Sequence, residues 1–307
     1  VFLKSFLYTK GGNKEYVKTF RYLIIVFIFI FSYNLLEHNI LSDEKIYENG
    51  KVSITAHRGS SLKARDNSIE AINIAIEEKA DYIEIDVRRT KDNKLVLSHD
   101  DVFMKSSGES FSIAGSTLKD INGKGILSIG KDDKIVTLEK ALKVIRGKSK
   151  INIDLKVNND KELISKLVVK LIEKYNMEEE VIITSSNYGA LLDVISYDSN
   201  IKIGYITKSL TDDFNVGEID VISIAYEGLN KEVVQRVHGF GKQIFVWTVN
   251  DEEKGKRAIS LGVDNIITDD VVMIKNLINK ISSNVGDIWA FIKYIVWYNL
   301  DIIQMIE

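Results

Sequence analysis

Short runs rich in Ile and Val recur through the middle of the chain, with longer stretches between them in which apolar residues return every three or four positions. The short runs have the length and composition of buried strands, the longer ones the period of amphipathic helices. Nine strands are predicted, over residues 52–56, 82–87, 95–98, 151–155, 181–184, 202–205, 221–224, 244–248 and 265–268. Helices are predicted over 68–79, 137–145, 161–175, 231–237 and 252–261, the first with Asn67 or Ser68 as its N-cap. Strands that alternate with helices build a parallel sheet, and no linker or repeat divides residues 50–280.

Nine strands are one too many for a closed eight-stranded barrel. Only residues 88–94 separate the second strand from the third, and a parallel crossover needs a dozen or more. These two strands are therefore expected to form an antiparallel hairpin turning at Asp92-Asn93. Centring the turn there pairs residues whose numbers sum to 185, which sets Asp86 opposite His99. The remaining eight strands predict an α/β fold of the TIM (β/α)8 barrel type, with function on the face where strands end. The stretch from Asp101 to Gly130 is too short for a large inserted cap, so an open cleft is expected.

The ends differ from the middle. Residues 1–21 carry Lys4, Lys10, Lys14, Lys18 and Arg21 against Glu15, and Leu23 to Phe31 is unbroken apolar sequence. Taken with Ser32 to Leu36, this predicts a transmembrane anchor over 22–36, followed by a linker over 37–50 and a barrel domain over 51–280. Basic residues before the anchor and acidic ones after it predict a cytoplasmic N-terminus and an extracytoplasmic barrel at the cell membrane. Residues 281–307 predict an apolar C-terminal helix, either docked on the domain or lying at a membrane interface. The chain opens at Val1 rather than Met, as a fragment of a longer protein would.

Composition narrows the chemistry. With 41 Lys and Arg against 44 Asp and Glu, the net charge of −3 gives no basic face for nucleic acid. The absence of cysteine excludes disulfides, thiolate metal sites and cysteine nucleophiles, so a metal would need oxygen or imidazole ligands. Proline is absent too, where about 5% usage would supply roughly fifteen.

Four motifs converge on the predicted catalytic face. His57-Arg58-Gly59 ends the first strand and offers an acid/base or nucleophile, a planar cation for phosphate and a residue suited to a sharp turn. Glu84 and Asp86 share one face of the second strand, flanked by Ile83, Ile85 and Val87. Two carboxylates inside a barrel are costly without a cation, so they are candidate metal ligands; the alternative is an exposed-edge pair. His99-Asp100 ends the hairpin. Asp154 and Lys156 share a face of the next strand, either as a structural ion pair or as a third ligand beside a phosphate-binding cation. His38 and His238 are given no role. Two imidazoles, three inward acids, an Arg and a Lys suit phosphoester cleavage: one His removes a proton and the other returns one, while the cations offset transition-state charge.

These motifs occur in order with Asp66-Asn67-Ser68, Val246-Trp247-Thr248-Val249-Asn250 and the run from Gly262 to Asp269. Over about residues 52–275 the chain resembles the glycerophosphodiester phosphodiesterase family, in its bacterial, membrane-associated type. The resemblance implies hydrolysis of small glycerophosphodiesters to glycerol 3-phosphate and an alcohol, with one divalent cation, Ca²⁺ or Mg²⁺. It implies His57 and His99 as the acid/base pair, Arg58 and Lys156 as phosphate-binding cations, Glu84, Asp86 and Asp154 as metal ligands, and Trp247 lining the glycerol pocket. It also implies attack by the glycerol 2-hydroxyl through a cyclic phosphate. The chain departs from the family pattern at Asp154, where Glu is usual, and at Arg65-Asp66-Asn67, where Pro-Glu-Asn is usual. The competing expectations are a phospholipase of C or D type acting on lipid head groups, and a membrane-held barrel that binds phosphodiesters without turnover. Oligomeric state is left open.

Overall fold

The computed structural model of the protein describes residues 52–104, 108–123, 134–158, 161–211, 214 and 216–283. The predicted anchor, linker and basic segment lie outside these residues, as does the C-terminal segment beyond 283. Among the described residues no helix is long and apolar enough to cross a membrane.

The strands are β1 (Ser53–Ala56), β2 (Tyr82–Arg89), β3 (Leu95–Leu97), β4 (Val102–Met104), β5 (Ser110–Ser112), β6 (Lys150–Leu155), β7 (Val181–Ser185), β8 (Lys202–Thr207), β9 (Val221–Ala225), β10 (Gln243–Trp247) and β11 (Asn265–Thr268). Eight of them pair in parallel in the order β1-β11-β10-β9-β8-β7-β6-β2, and a β1–β2 pairing closes the ring. This is the expected eight-stranded TIM-type barrel.

Helices α1 (Ile69–Glu77), α2 (Leu118–Gly123), α3 (Leu138–Ile145), α4 (Lys161–Tyr175), α5 (Tyr188–Tyr197), α6 (Lys231–Gly239) and α7 (Glu252–Leu261) join the strands, and residues 271–283 are also helical. The starts of several are written locally. Ser68, Thr137, Asn187, Asn230 and Asp251 each accept a hydrogen bond from the backbone N–H three residues on, which satisfies a donor the helix cannot. On α3 the apolar residues Leu138, Ala141, Leu142 and Ile145 are all buried, so one stripe of the helix covers the sheet.

Inside the barrel, alternate residues of each strand meet. Ile182, Val221, Phe245 and Ile267 pack with Tyr82 and Trp247 into an apolar layer, and Tyr82 meets Phe245 edge to face. This layer leaves the polar inward positions to the level above it.

The predicted hairpin is present, but its register differs by one residue. Val87 faces Leu97 and Arg88 faces Val96, so paired numbers sum to 184 and Asp86 lies opposite Ser98, whose N–H donates to its carbonyl at 3.0 Å. The cause is the turn. Asn93 is left-handed at φ 60°, and Thr90 N–H donates to the Lys94 carbonyl, which makes a three-residue loop rather than a two-residue turn. His99 therefore lies beyond β3, on the loop that follows. The outer edge of β3 is covered by Val136, whose carbonyl accepts from Leu97, and by a bridge to Thr137.

The described residues between Val102 and Ile135 add a small module. β4 and β5 form an antiparallel pair, and Ile113, Ile121 and Ile135 pack on Val96 with Phe103, Phe111 and Leu118 around them. It has its own small apolar cluster and, among the described residues, no large cap.

Candidate active site

All eight residues singled out from the sequence line one cavity of about 180 Å³ at the strands' C-terminal mouth: His57, Arg58, Glu84, Asp86, His99, Asp154, Lys156 and Trp247. Side chains from five strands or their following loops thus meet at one place.

The loop after β1 shapes one wall. Arg58 and Gly59 are left-handed, at φ 55° and 82°, and this curls the backbone back over β2 and α1. Arg58 N–H donates to Glu84 Oε2 at 2.7 Å, Gly59 N–H to the Glu84 carbonyl at 3.2 Å, and Ser60 N–H to the Ala71 carbonyl at 2.9 Å. A β-carbon on Gly59 would lie 2.7 Å from the Ala71 carbonyl carbon, so only glycine fits there.

The acids stand as the alternation of β2 and β6 requires. Glu84, Asp86 and Asp154 are 5%, 1% and 9% exposed, and each offers a carboxylate oxygen within 4.8 Å of the others. Asp86 is the most tied down. Lys156 Nζ lies 3.0 Å from its Oδ1, and Asn67 Nδ2 donates to its Oδ2 at 2.8 Å while Asn67 Oδ1 accepts its backbone N–H at 3.0 Å. Arg58 Nε is 3.3 Å from Oδ2, an ionic contact without hydrogen-bond alignment. The Arg58 guanidinium also donates to Asp66 at 2.9 Å, and the Lys156 ammonium to Asp154.

The three carboxyls respond differently to one environment. Burial, and then the Asp86 and Asp154 charges, push Glu84 well above the usual carboxylate range. Burial also acts to raise Asp86, but Lys156, Asn67 and Arg58 outweigh it and hold that acid below its ordinary value. Asp154 lies above its ordinary value, because burial outweighs the attraction of Lys156. Three hard oxygen donors converge here, and burial together with the two neighbouring negative charges makes the ionised form of Glu84 costly. That donor set fits a divalent cation of the Ca²⁺ or Mg²⁺ type, which would reverse the cost of ionising Glu84.

The two imidazoles are held differently. His57 Nδ1 lies 2.7 Å from Asp269 Oδ1, at the end of the last strand. His99 Nδ1 lies 2.9 Å from Asp100 Oδ1, and that pair is largely exposed. Outside the site, His238 pairs with Asp264 at 2.9 Å. Trp247 lines the cavity, and its indole Nε1 is buried without a hydrogen-bond partner among the described residues.

Sequence reasoning quoted Asp66, Asn67, Asn250 and Asp269 within motifs but gave them no part in the site, Asn67 being weighed only as a helix N-cap, and it passed over Ser61. Asp269 had a positional signal, since it directly follows a barrel strand at the mouth. Asn67 had none, because its contact with Asp86 depends on a left-handed loop residue at φ 57°.

A parallel barrel with acids, imidazoles and cations at the C-terminal mouth defines a phosphoester-cleaving enzyme. Residues 57–273 match the model of the glycerophosphoryl diester phosphodiesterase family, and the chain belongs to that family. It is 33% identical over 242 residues to the glycerophosphodiester phosphodiesterase of Caldanaerobacter subterraneus subsp. tengcongensis, covering 75% of this chain and 99% of the relative. A Thermotoga maritima glycerophosphodiester phosphodiesterase structure superposes with a TM-score of 0.61 at 27% identity, covering 74% of this chain and 99% of that one. The structure of an Oleispira antarctica phosphodiesterase in complex with the product sn-glycerol-3-phosphate has a TM-score of 0.69 at 22% identity, covering 76% and 99%.

Proposed function

We propose that this cavity cleaves glycerophosphodiesters with His57 and His99 as the acid/base pair. The enzyme is a glycerophosphodiester phosphodiesterase that releases glycerol 3-phosphate and an alcohol. The carrying observation is that both imidazoles, both cations and all three acids line one cavity. Arg58 and Lys156 are the phosphate-binding cations, since each already faces the acid cluster and could turn one more N–H to an anionic oxygen. Trp247 lines the glycerol end, its apolar ring against carbon. One histidine takes the proton of the attacking oxygen, and the other gives one to the departing alcohol oxygen.

Glu84, Asp86 and Asp154 would hold the divalent ion, Ca²⁺ or Mg²⁺. When bound, that ion supplies charge neutralisation and orientation of the phosphate. The N-terminal apolar segment would make this a membrane-associated member of the family. In that arrangement the anchor spans 22–36 and the barrel, over 51–280, lies on the extracytoplasmic side of the cell membrane.

A panel of glycerophosphodiesters with product analysis tests the chemistry. Glycerol 3-phosphate is the expected product, and phosphocholine or inositol phosphate would instead point to phospholipase-type cleavage. His57→Ala and His99→Ala are each expected to lose about 10²–10⁴-fold in turnover. Full activity in either would overturn its assignment. Protease digestion of intact cells tests the topology, and a protected, cytoplasmic barrel would refute it.

A further inference from the structure

His57 leaves the first barrel strand and Asp269 leaves the last, 212 residues apart in sequence, yet Nδ1 and Oδ1 are 2.7 Å apart. Asp269 is itself held from two other sides. The Ser61 hydroxyl donates to the same Oδ1 at 2.6 Å, and Asn250 Nδ2 donates to Oδ2. Asn250 cannot turn around without loss, because its Oδ1 accepts the Asp269 backbone N–H at 2.9 Å and lies 3.3 Å from the Thr268 hydroxyl. Despite burial, these donors, with His57 foremost, hold the Asp269 carboxyl down at about 2. An ionised carboxylate only accepts hydrogen bonds, so the ring nitrogen facing it must carry the proton.

We propose that Asp269 is a positioning residue that fixes His57 in its Nδ1-protonated form and leaves Nε2 bare, with Ser61 and Asn250 locking the carboxylate in place. The inference rests on the acid/base role of His57 and deepens it. His57 becomes the base with a set tautomer and a set ring plane. His99 has no comparable lock, since its partner Asp100 is 74% exposed. The network therefore makes the two histidines unequal.

The geometry supplies a discriminating test. In Asp269→Asn the new side chain keeps the same shape but carries one NH₂. Asn250 already presents its NH₂ to the Oδ2 position, so the new amide turns its oxygen to Asn250 and its NH₂ to His57. Nδ1 must then accept, and the proton moves to Nε2. The expected result is a fall of about 10²–10⁴-fold in kcat with little change in KM. Asn250→Asp added to Asp269→Asn supplies an acceptor for that NH₂ and turns the amide oxygen back to His57. This double variant is expected to recover kcat by about tenfold or more over Asp269→Asn.

Asp269→Asn within twofold of the parent, alongside an inactive His57→Ala, would overturn the inference while leaving the His57 assignment standing. An active His57→Ala would overturn that assignment instead. A folded double variant with no recovery would reduce Asp269 to a structural part. The ¹⁵N shifts of His57 in the unaltered protein decide the matter without any variant. A proton on Nδ1 is expected, and one on Nε2 sinks the proposal.

Discussion

Gly59→Ala separates two costs that usually arrive together. Gly59 has φ 82°, where an L side chain is strained by about 1–2 kcal/mol. Its new methyl would also meet the Ala71 carbonyl carbon at 2.7 Å, the Ala71 β-carbon at 2.8 Å and the Ala71 oxygen at 3.0 Å. Two of those atoms are helix backbone, so a side-chain rotation cannot relieve the clash, and overpacking of this kind costs about 1–3 kcal/mol. Together the loss is about 2–5 kcal/mol. Gly262 is the control. It caps α7 at φ 85°, yet a β-carbon there meets nothing within 4 Å, so Gly262→Ala incurs only the backbone term of about 1–2 kcal/mol. Urea denaturation of both variants, followed by fluorescence, gives the two free energies. Gly59→Ala should also lose turnover while still folded, because the loop it displaces carries Arg58, whose N–H holds Glu84. Equal destabilisation of the two variants would refute the steric account, and so would an unaltered kcat in Gly59→Ala.

Asn67→Ala is expected to destabilise by about 2–3 kcal/mol in the same assay, because it strands both a carboxylate oxygen and the backbone N–H of the buried Asp86; a loss below about 1 kcal/mol would show that the pair is replaceable. EDTA should abolish turnover, with Ca²⁺ or Mg²⁺ restoring it. The same ion should raise the melting temperature of the parent but not of Asp86→Asn, as read by scanning calorimetry. Acid titration supplies a further check. Asp269 lies at about 2 when folded against an ordinary 3.8, so its network contributes stability that is present above about pH 4 and lost as pH falls toward 2. Melting curves of Asp269→Asn should therefore fall less steeply than the parent's across that window.

The barrel was legible because its two periods are distinct: each predicted barrel strand is present, and α4 and α7 start and stop where the apolar stripe does. Loop length correctly made the second and third strands a hairpin. Its register was not legible, because one left-handed residue, Asn93, lengthens the turn and moves every later pairing by one. The β4–β5 pair escaped notice for another reason. Three-residue strands such as Ser110–Ser112 have too few positions for an alternation to register. At the site, residue type and strand parity brought out the acids, imidazoles and cations. The residues that hold them, Asn67, Ser61, Asn250 and Asp269, were harder to find, since their partners lie 19 to 212 residues away in sequence.

The ring closes by joining β1 to β11, the first strand to the last. During synthesis on the ribosome, His57 emerges early and waits for an aspartate translated 212 codons later. A nascent chain stopped anywhere before residue 269 holds an imidazole whose proton is unassigned. Competence therefore waits on the strand made last, whose pairing with the first brings Asp269 to His57.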